Sequence, residues 1–137
     1  MGRIIALDYG MKRTGIAVTD PLKIIATPLE TVPTQELINF LMHYFQKEEV
    51  ECIVVGDPKN LDNSNSEMSK ITELFISELQ RNFPDKRIAR VDERFTSKIA
   101  ERTLQQSGLR KKARQDKSLI DKISAVIILQ GYLEVIS

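Results

Sequence analysis

Three carboxylates carry the chemistry this sequence offers. Asp8 closes the short apolar run Ile4-Ile5-Ala6-Leu7. Glu93 stands in the segment Asp92-Glu93-Arg94-Phe95-Thr96-Ser97, after a second apolar stretch. Asp121 lies on a helical stretch whose own face runs through Ser124, Ala125, Ile128 and Tyr132, with Val126, Ile127 and Leu129 around it. A helix apolar on all sides is buried, and a buried carboxylate needs a compensating charge. Three acids from separate elements suit a hard, oxygen-ligated ion such as Mg²⁺ or Mn²⁺. Two such ions about 4 Å apart can activate water and stabilise the leaving oxygen of a phosphodiester. Each acid also has an ordinary reading. Asp8 could cap the turn before Tyr9-Gly10, Glu93 could pair with Arg94 or Arg90, and Asp121 with Lys117 or Lys122.

Cations and glycines accompany the acids. Gly10 and Gly15 flank Lys12 and Arg13. Such a loop gathers backbone N–H groups and two positive charges beside Asp8, which suits a phosphate or a nucleic-acid backbone. A solvated hairpin is the plainer alternative. One histidine and one cysteine leave no imidazole cluster, no disulfide framework and no cysteine-based zinc site. Any metal must therefore be held by carboxylates.

The elements that must position these residues follow from pattern. Arg3 to Asp8 reads as a buried strand, Tyr9 to Thr14 as a turn, Gly15 to Thr19 as a second strand and Ile24 to Leu29 as a third. Their tight spacing implies an antiparallel meander. Thr34 is a candidate N-cap for a helix carrying Leu37, Ile38, Leu41, Met42 and Phe45. Cys52 to Val55 is a fourth strand, ended by Gly56-Asp57-Pro58. Ser64 and Glu67 form a capping box before a helix with Ile71, Leu74, Phe75 and Leu79. Ile88 to Val91 is a fifth strand. A helix opens at Thr96 and closes at Ser107-Gly108, a basic linker covers Lys111 to Lys117, and a last helix spans Leu119 to Val135. The order βββαβαβα implies one α/β domain over residues 1–137, a mixed five-stranded sheet with helices on both faces. In such a sheet ligands bind at the carboxyl ends of parallel strands. That edge would receive Asp8, Gly56-Asp57-Pro58 and Glu93.

Composition sets the outer bounds. The chain has 137 residues, 20 Lys or Arg against 19 Asp or Glu, and 42% hydrophobic residues. That is an ordinary globular composition, neither a polycation nor an acidic solvating chain. No apolar run approaches the roughly 20 residues of a membrane span. The N-terminus reaches Asp8 too soon for a signal-peptide core. The lone cysteine suits a reducing compartment, so a cytoplasmic protein without membrane contact is expected. Cys52 and the aromatic or long apolar residues Met42, Phe45, Phe75 and Phe83 are expected in the core, and His43 at the surface. For Tyr9 and Phe95, local packing is preferred to base stacking.

Four segments in order resemble one family. They are ALDYGMKRTGIAVTD from Ala6, VVGDPKNLDNSNSE from Val54, VDERFTSKIAE from Val91 and DKISAVIILQGYL from Asp121. Together they resemble the YqgF family, also called RuvX, of pre-16S rRNA nucleases or Holliday junction resolvase-like proteins. The resemblance implies a ribonuclease H-like fold and metal-dependent phosphodiester hydrolysis. By motif, Asp8, Glu93 and Asp121 match the family's catalytic acids and metal ligands. Lys12, Arg13 and Gly15 match its first-loop positions, and Arg94, Thr96 and Ser97 those beside the central acid. The family usually has an apolar residue between Gly56 and Pro58, where this chain has Asp57. Asp57 is either a fourth metal-site carboxylate or, as preferred here, a solvated turn residue.

The expected function is cleavage of pre-16S rRNA during ribosome maturation. The alternatives are a resolvase-like endonuclease on branched DNA and a non-catalytic nucleic-acid-binding assembly factor. Asp8, Gly10 and Gly15 also look like the first phosphate loop of the sugar kinase and actin superfamily, whose ATP cleft needs two such domains. The expected partners are structured RNA or branched DNA and a ribosomal precursor particle, with the chain acting as monomer or homodimer. Residues 86–117 hold 11 Lys or Arg against 4 Asp or Glu, while the remainder is acidic. This basic flank, including Lys111, Lys112 and Arg114, would hold phosphate beside the acids.

Overall fold

The computed structural model describes residues 2–57, 67–92 and 117–136. Strands β1 (Arg3–Asp8), β2 (Arg13–Thr19) and β3 (Ala26–Pro33) form the expected meander. A 3₁₀ turn, Thr34–Glu36, leads into helix α1 (Leu37–Lys47). Strand β4 (Val50–Asp57), helix α2 (Glu67–Asn82), strand β5 (Arg87–Asp92) and helix α3 (Lys117–Ile136) follow. The sheet order is β3-β2-β1-β4-β5. β1 runs parallel to β4, and β4 parallel to β5.

Alternation along the strands splits the core in two. Ile5, Leu7, Ile16, Val18, Ile53 and Val55 pack with Leu37 and Leu41 of α1 and Phe75, Ile76 and Leu79 of α2. Ile4, Ala6, Ala17, Cys52 and Val54 pack on the other face with Ala125, Ile128, Leu129 and Tyr132 of α3. Ala26, Ala89 and Val91 border this second cluster. Its sheet side is rich in alanine, which lets α3 lie close to the strands.

Several boundaries differ from expectation for local reasons. The third strand is Ala26–Pro33 rather than Ile24 to Leu29, and Ile24 and Ile25 are exposed. The Asp20 carboxylate accepts hydrogen bonds from the backbone N–H groups of Leu22, Ile24 and Ile25, and this holds the chain in a turn. Lys23 completes that turn at φ 61°. The second strand begins at Arg13, which pairs with Pro33, not at Gly15. Thr34 is not a side-chain N-cap. Its hydroxyl donates to the Gly10 carbonyl at 2.6 Å and lies 3.0 Å from the Thr14 hydroxyl. The last helix starts at Lys117 rather than Leu119, so the expected linker loses its final residue to α3. Met42 is exposed, contrary to its expected core place, whereas Phe75 and Phe83 are buried and Phe45 packs against them from the edge of the cluster. Cys52 is buried and His43 exposed, as expected. The expected helix from Thr96 and the Ser64 cap lie outside the described residues. Among the described residues no helix is long and apolar enough to cross a membrane.

Candidate active site

Asp8 is the last residue of β1, and its backbone partner across the sheet is Gly15 of β2. By alternation Asp8 shares the face of Ile4 and Ala6, the face covered by α3. Gly15 and Arg13 share the corresponding face of β2 with Ala17. The other partner at this point is Asp121, in the first turns of α3. A Cβ on Gly15 would lie 2.0 Å from the Asp121 carbonyl oxygen and 2.3 Å from its carbonyl carbon. No side chain fits in that space. Gly15 is therefore the position that lets α3 descend onto β2, with Asp8 beside it on one strand and Asp121 above it on the helix. The sequence suggests Gly15 as a phosphate-loop residue; the structure gives it this close-packing role.

The Asp121 carboxylate is paired, and its partner is Arg13. Arg13 Nε donates to Asp121 Oδ2 at 2.5 Å. Arg13 is on the adjacent strand, two residues before Gly15, so the close approach at Gly15 also brings the guanidinium within reach. Lys12 is exposed at the tip of the turn. Gly10 makes that turn tight: a Cβ there would meet the Arg13 carbonyl oxygen at 2.6 Å. The Thr34 bond to the Gly10 carbonyl fixes the same turn from the far side. Neither the Arg13–Asp121 pair nor the Thr34 clamp is visible in the sequence, because both depend on the register between distant segments.

Asp57 is the main correction. It ends β4 in register with Asp92 of β5, so it does reach the expected edge. It is not a solvated turn residue, being only 7% exposed. Ser69 Oγ donates to its Oδ1 at 2.7 Å, and an Arg90 guanidinium nitrogen lies 3.5 Å from its Oδ2. Arg90 also donates to Glu73 of α2 at 2.5 Å. Asp57 shares the face of Ile53 and Val55, the α1 and α2 side of the sheet. Asp8 is on the opposite side, so Asp57 does not join Asp8 and Asp121. The β1–β4 register, which sets Leu7 beside Val55, decides this, and β4, buried on both faces, has no alternation that would show it in the sequence.

Tyr9 follows Asp8 and turns to that same α2 side. Its ring stacks on Phe75 with centroids 4.0 Å apart and an interplanar angle of 14°. Burial, with a smaller contribution from Glu78, pushes its phenol up from the ordinary value. Local packing is thus the role of Tyr9 here.

Asp8 and Asp121 fit a hard divalent cation. Both supply carboxylate oxygens, both are partly solvent-accessible, and both border the bare surface of Gly15. Among the described residues no group of three or more His, Cys, Asp or Glu side chains is placed to hold a metal. Glu93, Arg94, Thr96, Ser97, Lys111, Lys112 and Arg114 lie outside the described residues.

Known proteins resemble this chain. Residues 2–135 match the family model RuvX, described as Holliday junction resolvase. A protein of Flavobacterium johnsoniae named "Putative pre-16S rRNA nuclease" is 53% identical over 97% of this chain and 96% of its own. One of the same name from Bacteroides thetaiotaomicron is 55% identical over 98% and 97%. Among solved structures, Thermus thermophilus RuvC in complex with a Holliday junction substrate superposes with TM-score 0.61 at 14% identity, covering 98% of this chain and 96% of that one. A second Thermus thermophilus RuvC structure gives TM-score 0.56 at 13% identity, covering 97% and 96%. The RuvC likeness makes the fold ribonuclease H-like, as the family resemblance implied. With its sequence matched from end to end, the chain belongs to the RuvX family and shares that family's nuclease function.

Proposed function

We propose that this protein is a metal-dependent phosphodiester hydrolase that processes pre-16S rRNA during ribosome maturation. The observation that carries the reading is that Asp8 pairs with Gly15 across the sheet while the Asp121 backbone packs directly on Gly15. Asp8, Asp121 and Glu93 are the proposed metal ligands and catalytic acids. Mg²⁺ or Mn²⁺, when bound, would activate water and offset charge on the departing oxygen. Lys12, Arg13, Arg94, Thr96 and Ser97 are the proposed phosphate contacts, with Lys111, Lys112 and Arg114 extending the grip. Gly15 serves them by keeping the strand accessible to α3. The whole chain would act as one domain, in the cytoplasm, on a ribosomal precursor particle. The rRNA preference is supported by the names of relatives that share more than half of its residues over nearly its whole length.

A resolvase-like action on branched DNA is the second reading, favoured by the family description and by the junction-bound RuvC fold. Cutting a junction symmetrically calls for a dimer, whereas trimming RNA does not. The test is cleavage of matched precursor-RNA and four-way DNA substrates with Mn²⁺, alongside sedimentation of the protein. Faster RNA cleavage by a monomer supports the proposal. Junction cleavage by a dimer, with RNA untouched, would reverse the order of the two readings.

A further inference from the structure

We propose that Arg13 is a latch on the metal site. Its guanidinium and the divalent cation compete for the Asp121 carboxylate, so metal binding releases Arg13 toward a substrate phosphate. The proposal rests on the metal-dependent reading above.

The geometry supplies the competition. Arg13 Nε holds Asp121 Oδ2 at 2.5 Å, with side-chain exposures of 39% and 21%. The two backbones cannot separate to relieve a third charge. Two residues beyond Arg13, Gly15 lies in direct contact with the Asp121 backbone. Arg13 is itself fixed in β2 by its pairing with Pro33. Only the side chains can move. A guanidinium keeps its charge at any working pH, so it cannot adapt to a nearby dication by losing a proton. Repulsion and the withdrawal of its acceptor both drive it away from Asp121. Its planar fork then suits a phosphate, which it can hold through two parallel hydrogen bonds. The anion that captures Arg13 also prevents it from returning to Asp121. Metal and phosphate therefore favour each other's binding through one side chain, and the coupling is reciprocal by thermodynamic necessity.

The test is calorimetric titration of Mn²⁺ into wild type, Arg13→Gln and Asp8→Asn. Each titration is run with and without a short phosphorothioate RNA duplex, which keeps the backbone charge and resists hydrolysis. Without duplex, Arg13→Gln should bind Mn²⁺ about fivefold or more tighter than wild type. The duplex should tighten Mn²⁺ binding in wild type and lose most of that effect in Arg13→Gln. Unchanged or weaker Mn²⁺ binding by a folded Arg13→Gln protein would overturn the latch. So would an equal duplex effect in both proteins. If that variant does not fold, Arg13→Met replaces it. Its neutral thioether cannot compete for Asp121, so Mn²⁺ should again bind tighter, and an affinity equal to wild type would overturn the proposal. The two readings fail separately. Mn²⁺ binding that Asp8→Asn weakens but Arg13→Gln leaves alone rejects the latch only. Absence of any Mn²⁺ binding sensitive to Asp8→Asn rejects the metal reading and the latch with it.

Discussion

The Asp121 carbonyl oxygen lies 2.0 Å from the point where a side chain on Gly15 would begin. This close approach fixes the height of α3 over β2 and so the place of Asp121 above Gly15, the strand partner of Asp8. Gly15→Ala should push the helix outward. Overpacking of this kind costs about 1–3 kcal/mol, and more where backbone is the obstacle. Thermal denaturation should show the drop in stability, and Mn²⁺ titration a weakened site. An alanine variant with wild-type stability and metal affinity would contradict the close approach.

Asp57 provides the opposite control. Its partners are Ser69 and Arg90 on the α2 side of the sheet. Asp57→Ala removes the hydrogen bond from Ser69 and one of the two carboxylates that face Arg90. The expected cost in urea denaturation is about 1–3 kcal/mol, kept modest because Arg90 is 36% exposed. Mn²⁺ affinity should be unchanged. A variant that keeps its stability but no longer binds metal would place Asp57 in the site after all.

Asp20 predicts part of the acid behaviour. The amide of Ile25, with those of Ile24 and Leu22, holds its carboxyl below the ordinary range despite an opposing desolvation cost. A carboxylate lowered by folding stabilises the protein above its unfolded pKa, about 3.9. That contribution falls away as pH drops through the lower folded value. Asp20→Asn should therefore flatten the pH dependence of stability below about pH 4. An identical acid limb in both proteins would show that the turn does not use the charge.

Salt tests the basic flank. If Lys111, Lys112 and Arg114 neutralise substrate phosphates, affinity should fall steeply with ionic strength. Alanine at each should reduce the log–log slope by about one for every phosphate left without its cation. Binding measured by fluorescence anisotropy across a salt series reads this directly. A salt-independent affinity would remove the role.

Much of this architecture is legible in the sequence because it depends on local pattern. Ile4 to Leu7 and Ile53 to Val55 are strands by composition, and the Leu37/Leu41 spacing marks a helix. The meander follows from short connections. What sequence reasoning misses depends on interactions between distant segments. Ile24 and Ile25 read as strand until the Asp20 carboxylate captures their amides. Thr34 has the type of an N-cap, but its hydroxyl is taken by Gly10, 24 positions earlier. Arg13 and Asp121 are separated by 108 positions, and only the close approach at Gly15 makes them neighbours. Asp57 belongs with these: its face relative to Asp8 is set by the register of β4 on β1, and β4 is buried on both faces.

If Asp8 and Asp121 hold a catalytic divalent cation, the site should fail when either the cation or the first of these carboxylates is removed. The decisive measurement is Mn²⁺-dependent cleavage of precursor RNA by wild type and Asp8→Asn, purified free of host nucleases and matched in melting temperature. Wild type should cleave the RNA, chelator should abolish that cleavage, and Asp8→Asn should show none. Full activity in that variant would contradict a metal held by these carboxylates.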